Sequence, residues 1–173
     1  IRTMIEPVLF GVGGNVGSDA ALIARFRAAR EALARTSEQQ GLGGVRSAPL
    51  YRTGPIGPTQ PSFLNTALLV PLDLGPEELI EHTLALERSL GRTREGDRFG
   101  PRLIDLDILV WSGRVVDLRD LVVPHPRLHE RRFALEPLVA LLDEDFVIPG
   151  RGPAGELLAR VRDQPCELVM KVW

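Results

Sequence analysis

The chain predicts an α+β fold in which helices pack on an antiparallel sheet, followed by a C-terminal extension. Two observations carry this reading. Strand-like apolar runs and helical segments follow one another in the order β-α-β-β-α-β. The middle pair of strands is separated by a connection rich in proline and glycine. At 173 residues the chain has the usual size of one domain, and residues 1–173 are expected to form one.

Pro7 to Val12 is an apolar, partly β-branched run ending in glycines, which suits a buried strand that turns at Gly13 and Gly14. Ser18 is a suitable N-cap. Leu22, Phe26, Ala29 and Leu33 then recur at helical spacing, so a helix is expected to about Arg35, with Gly41, Gly43 and Gly44 closing the segment. Val45 to Thr53 and Phe63 to Leu72 read as two strands. Pro55, Gly57, Pro58 and Pro61 between them exclude a tight hairpin and leave backbone groups free for a ligand. Gly75 and Pro76 start a second helix, Glu77 and Glu78 favour its positive end, and Gly91 is placed to stop it. Arg102 to Trp111 is strand-like, and Ser112-Gly113 before Arg114 to Val116 suggests a short hairpin. This order is the split βαβ, or ferredoxin-like, arrangement, with two helices on one face of the sheet. Leu135 to Leu142 and Glu156 to Val161 are expected to be short helices, and Leu168 to Val172 a final strand.

Composition narrows the function. The formal net charge of −2 provides no general field for nucleic acid, so any anion site must be local. Lys171 is the only lysine, and an arginine therefore counts only in a patterned context. The most apolar stretch, Leu103 to Trp111, is interrupted by two aspartates and is far shorter than the roughly 20 residues that span a bilayer. IRTMIEP lacks the features of a secretory signal and Cys166 has no partner cysteine, so a reducing cytoplasm is the expected location.

The strongest chemical signal is Asp105 and Asp107 within Leu103-Ile104-Asp105-Leu106-Asp107-Ile108-Leu109. Strand side chains alternate, so the two carboxylates share one face while Ile104, Leu106 and Ile108 share the other. Like charges this close repel unless a cation lies between them. Magnesium is commonly held by one or two carboxylates together with substrate phosphates. Just upstream, Arg92, Arg94, Arg98 and Arg102 lie in a stretch broken by Gly91, Gly96, Gly100 and Pro101. It reads either as a surface charge network or as a mobile lid whose guanidinium forks bind phosphate oxygens.

The segment Arg98-Phe99-Gly100-Pro101-Arg102-Leu103-Ile104-Asp105-Leu106-Asp107-Ile108-Leu109 resembles the signature of the 6-hydroxymethyl-7,8-dihydropterin pyrophosphokinases of folate synthesis. Tyr51-Arg52-Thr53 with Pro55, Gly57 and Pro58, then Phe63-Leu64-Asn65, then Val123-Pro124-His125-Pro126 through Arg131-Arg132-Phe133, resemble family segments in family order. The resemblance implies transfer of pyrophosphate from ATP to the pterin, with two magnesium ions on Asp105 and Asp107. It places the pterin between Phe63 and Phe133, read by Asn65 and by backbone from Thr53 through Gly54 and Pro55 to Ile56, with Asp105 nearby. Nucleotide and phosphate contacts fall on Glu87, Arg92, Arg94, Arg98, Arg102, Ile108, His125 and Arg131, of which Arg94 and Arg98 act in catalysis. Glu87 continues the face of Ile80 and Leu84, where a carboxylate needs a nearby partner. His125, between two prolines, is expected to donate to phosphate. A monomer is expected, with a dimer as the alternative, and neither nucleic acid nor membrane as partner.

Some positions depart from the common family pattern. Gly13-Gly14-Asn15 stands where Gly-Ser-Asn is usual, Leu84 where a polar contact can occur, Phe99 where Trp is frequent, and Pro126 where Tyr is sometimes found. Three other readings fit less well. A dinucleotide fold would need a Gly or Ala at Val16. A ferredoxin-like RNA-binding module would display aromatics on its central strands and a basic excess. A nucleotidyltransferase built on the same D-x-D pair is the nearest rival, and it would release pyrophosphate rather than AMP.

Overall fold

A computed structural model describes residues 5–54, 59–91 and 102–173. Strand β1 is Val8–Gly14 and helix α1 is Asp19–Gln39. The short β2 (Arg46–Ser47), β3 (Leu50–Thr53) and β4 (Phe63–Val70) precede α2, Pro76–Ser89. Then come β5 (Asp105–Trp111), the hairpin of β6 (Val116–Leu118) and β7 (Leu121–Val123), and α3 (Arg132–Leu142). The C-terminal part adds β8 (Val147–Ile148), β9 (Gly152–Pro153), α4 (Ala154–Ala159) and β10 (Cys166–Met170).

Local chemistry explains the helix ends. Ser18 Oγ accepts from the Ala21 N–H at 3.1 Å and caps α1. The helix runs past Arg35 because its buried stripe of Leu22, Phe26, Ala29 and Leu33 continues through Ser37. Ser37 belongs to the stripe because its hydroxyl donates to the Pro71 carbonyl at 2.6 Å and accepts from the Gly43 N–H, so no polar group is left unmet. Gly75 caps α2 ahead of Pro76, and Gly91 follows the helix at φ 94°, a conformation costly for other residues.

The main sheet has the order β10-β3-β4-β1-β5, with β2 paired to β4, and every pairing in it is antiparallel. The four strands expected from the βαββαβ reading occupy the positions of that arrangement, and β10 extends the edge beside β3. Because the pleat alternates, β1 sends Val8, Phe10 and Val12 to one face, where Leu22, Phe26 and Leu33 of α1 and Leu79 and Leu86 of α2 cover them. The opposite face carries Leu9, Ala67, Leu109 and Val110 beneath Leu135, Leu138 and Leu141 of α3 and Leu157 and Leu158 of α4. Helices therefore flank both faces, and the C-terminal extension forms a third layer.

Three expectations change. Gly13 and Gly14 do not make the turn but complete β1, pairing with Asn65 and Leu64 of β4, and glycine serves close approach at 14, where a Cβ would lie 2.7 Å from the Leu103 carbonyl and 2.9 Å from Leu22 Cδ2. The run from Val45 to Thr53 is two strands, since Pro49 has no N–H to give the ladder and the register shifts from Ser47↔Leu68 to Tyr51↔Asn65. Ser112-Gly113 does turn the chain, with the Arg114 N–H on the Trp111 carbonyl at 2.9 Å, but the strand that follows pairs with β7 rather than back on β5.

The ring of Phe26 is fully buried and meets Trp173 edge to face at 6.3 Å between centroids. Phe26→Ala is expected to lower the unfolding free energy by about 3–5 kcal/mol, read as a lower urea midpoint with an unchanged slope.

Candidate active site

Helices α3 and α4 cover only part of their face of the sheet. Beside them lies a cavity of about 390 Å³ lined by Thr53, Gly54, Phe63, Asn65, Arg102, Asp105, Asp107, His125, Arg131 and Phe133, among others. Its floor is the odd-numbered face of β1, and pairing decides what stands on each side. Gly11 lies opposite Ala67 on β4 and Asp107 on β5, while Gly13 lies opposite Asn65 and Asp105. The two aspartates thus rise along one flank of a bare backbone strip, as their alternation requires. Asn65 rises along the other, with its Nδ2 donating to Thr53 Oγ1 at 2.6 Å.

Asn15, just beyond β1, fixes both rims. Its buried amide donates to Gln60 Oε1 and to the Pro61 carbonyl, each at 2.9 Å, and accepts the Arg102 N–H at 2.8 Å. The Asn15 N–H in turn donates to the Arg102 carbonyl at 2.9 Å.

The rim beside the aspartates is basic, and Asp105 and Asp107 act electrostatically on its groups. The Leu109 carbonyl, at a register shift in β5, accepts the His125 N–H at 2.8 Å and so places that residue. Nδ1 of His125 accepts from the Arg127 N–H at 3.2 Å, which leaves Nε2–H as the donor of the neutral ring. Burial, reinforced by Arg131, pushes the His125 pKa down to about 4. Arg131 is half-buried with its guanidinium 5.5 Å from the Phe133 ring centroid, and among the described residues its Nε has no hydrogen-bond partner. Burial and Arg127 lower its pKa, while Asp107, Glu130 and Asp105 act in the opposite direction.

A sequence model described as 7,8-dihydro-6-hydroxymethylpterin-pyrophosphokinase (HPPK) matches residues 9–143, from β1 to the end of α3. The chain belongs to the HPPK family. The 2-amino-4-hydroxy-6-hydroxymethyldihydropteridine pyrophosphokinase of Methylorubrum extorquens is 41% identical over 160 residues, covering 92% of this chain and 96% of that protein. The Pseudomonas aeruginosa protein of the same name is 37% identical, over 90% of this chain and 92% of its own. The mitochondrial folate synthesis bifunctional protein of Arabidopsis thaliana is 41% identical over 82% of this chain, which spans only 24% of that relative. The chain is similar in fold to a triple mutant of Plasmodium falciparum HPPK-DHPS, with a TM-score of 0.63 at 12% identity, covering 92% of this chain and 44% of that one.

Most described residues expected from the HPPK resemblance meet in this one cavity: Asp105, Asp107, Arg102, His125, Arg131, Thr53, Gly54, Phe63, Asn65 and Phe133 all line it. Two do not. Ile108 turns its side chain into the apolar layer under α1 and α2, on the opposite face from the aspartates. Glu87 is buried at the edge of the sheet, where its Oε1 accepts the Leu106 N–H at 2.8 Å. The partner demanded by a carboxylate on an apolar helix face is therefore the backbone between the two aspartates. Arg92, Arg94, Arg98, Phe99, Pro55 and Ile56 lie outside the described residues. Sequence reasoning passed over Gly11, Gly13 and Arg127, which also line the cavity. The signal for the glycines was available: they alternate on the same strand face, at positions where a half-buried strand would otherwise carry side chains.

The depressed pKa of His125 sets a pH window. Below about 6.5 the unfolded chain takes up a proton at this residue that the folded chain does not accept until about pH 4. One of the three histidine resonances is expected to titrate near pH 4 in NMR, and stability falls as pH drops between these values. His125→Asn is expected to lose that part of the slope.

Proposed function

We propose that the chain transfers the pyrophosphoryl group of ATP to 6-hydroxymethyl-7,8-dihydropterin, giving the pterin diphosphate and AMP. One observation carries the reading: a single cavity holds two strand carboxylates along one flank and the Asn65 amide along the other, and Phe63 and Phe133 line the same space. The pterin lies between Phe63 and Phe133, where stacking suits a flat heterocycle. Asn65 reads the ring edge as donor and acceptor, with Thr53 and Gly54 beside it.

ATP occupies the aspartate side. Arg102, Arg131 and the neutral Nε2–H of His125 meet the phosphates, and Glu87 acts by holding the strand that carries the metal ligands. The roles of Arg92, Arg94, Arg98, Pro55, Ile56 and Ile108 stand on the family resemblance. Carboxylate oxygens are the donor type magnesium takes, and no third acidic, histidine or cysteine ligand joins them among the described residues. Asp105 and Asp107 would therefore hold two magnesium ions, with phosphate oxygens and water completing the coordination. Once bound, the ions offset phosphate charge and align the polyphosphate. The hydroxymethyl oxygen forms a bond to the β-phosphorus as the bond from that phosphorus to the AMP oxygen breaks, and the hydroxyl proton is lost. Such a transition state asks mainly for alignment and charge neutralisation, so no strong base is assigned.

Incubation with ATP, magnesium and the reduced hydroxymethyl pterin is expected to yield AMP on chromatography. Release of pyrophosphate instead would identify a nucleotidyltransferase. Asp107→Asn is expected to keep the circular dichroism spectrum and thermal midpoint while reducing turnover by about two orders of magnitude or more. Near-normal turnover of that variant at ordinary magnesium would exclude the metal role.

A further inference from the structure

We infer that Gly13 is a positioning residue: its missing side chain holds the Asn65 amide where the pterin edge is read, so residue 13 governs affinity for the ring and not for the nucleotide. The inference rests on the proposed placement of the pterin beside Asn65.

Asn65, Gly13 and Asp105 form a row across β4, β1 and β5, and only the middle position lacks a side chain. A Cβ on Gly13 would overlap Asn65 Oδ1, while the next nearest atoms, Asn65 Cγ and the Leu64 carbonyl oxygen, lie at 3.5 and 3.6 Å. The conflict is thus with one atom of one side chain. Gly13 sits in a regular strand and its φ is outside the left-handed region, so the requirement for glycine is steric and not conformational.

Asn65 cannot easily yield. It is 8% exposed, and Thr53 Oγ1 holds its Nδ2 at 2.6 Å, so the amide is fixed at Nδ2 by a hydrogen bond and at Oδ1 by bare backbone. A methyl group at position 13 would force the amide to break the Thr53 bond or turn Oδ1 into the cavity, and either change spoils a donor and acceptor set matched to a heterocycle edge. Gly11 differs, because its Cβ would meet only Leu109 side-chain atoms, at 3.1–3.4 Å. On the phosphate side, no atom of Asp105, which pairs with Gly13, is among the three nearest to such a Cβ.

The test is a double-mutant cycle by calorimetry on wild type, Gly13→Ala, Asn65→Ala and the double variant. Two affinities are measured in each: a nonhydrolysable ATP analogue with magnesium, and the hydroxymethyl pterin in its presence. Gly13→Ala is expected to weaken the pterin about tenfold and leave the nucleotide within about twofold. The double variant is expected to bind pterin no more weakly than Asn65→Ala, because no amide remains to be displaced. Equal loss of both ligands, or losses that multiply in the double variant, would overturn the inference. Wild-type pterin affinity in Asn65→Ala would remove the pterin placement itself, and the inference with it. Should Gly13→Ala alone fail to fold, recovery of folded protein in the double variant supports the steric conflict, and absence of recovery refutes it.

Discussion

The structure depends on the antiparallel pairing of β1 with β4 on one side and β5 on the other. Strand periodicity then makes a single division of labour across three strands. Even-numbered residues of β1 and β4, with Ile104, Leu106 and Ile108, supply the apolar layer beneath α1 and α2. Gly11, Gly13, Asn65, Asp105 and Asp107 face the other way and line the cavity. A register slip of one residue would exchange these sets, burying two carboxylates under α1 and α2 and turning core side chains into the cavity. The energetic weight of the apolar layer therefore holds the polar groups in place.

The cavity contains both signs of charge, and each explains the other. Two aspartates share one strand face, with no third acid grouped with them among the described residues, while Arg102, Arg127 and Arg131 line the same space. A half-buried arginine whose Nε has no hydrogen-bond partner among the described residues is unfavourable in the free protein, and burial keeps His125 neutral beside it. A polyanion accompanied by divalent cations matches both sets of charge at once. This supports polyphosphate chemistry independently of the family likeness.

Much of this was legible in the sequence, and the failures have physical causes. The order of strands and helices, the capping of α1 and α2 and the shared face of Asp105 and Asp107 follow from local periodicity, and all appear in the structure. Ser37 escaped an apolar count because its burial is permitted by hydrogen bonds to residues that are distant or loop-borne. Gly13 and Gly14 read as a turn because glycine more often signals backbone freedom than close approach, and only the partner strand reveals which applies. The strand after Ser112-Gly113 was misassigned because local turn chemistry does not say which strand receives the chain. Convergence of Phe63, His125, Arg131 and Phe133 came from family resemblance, since no spacing rule links segments so far apart.

Asn15 ties the segment at Gln60 and Pro61 to the backbone at Arg102 through one buried amide. Its consequence is evolutionary. A change that displaced Gln60 and Pro61 would leave both Nδ2 bonds unmade, and one that displaced Arg102 would leave Oδ1 without its donor. A recombinant that exchanges the three stretches together keeps all three bonds.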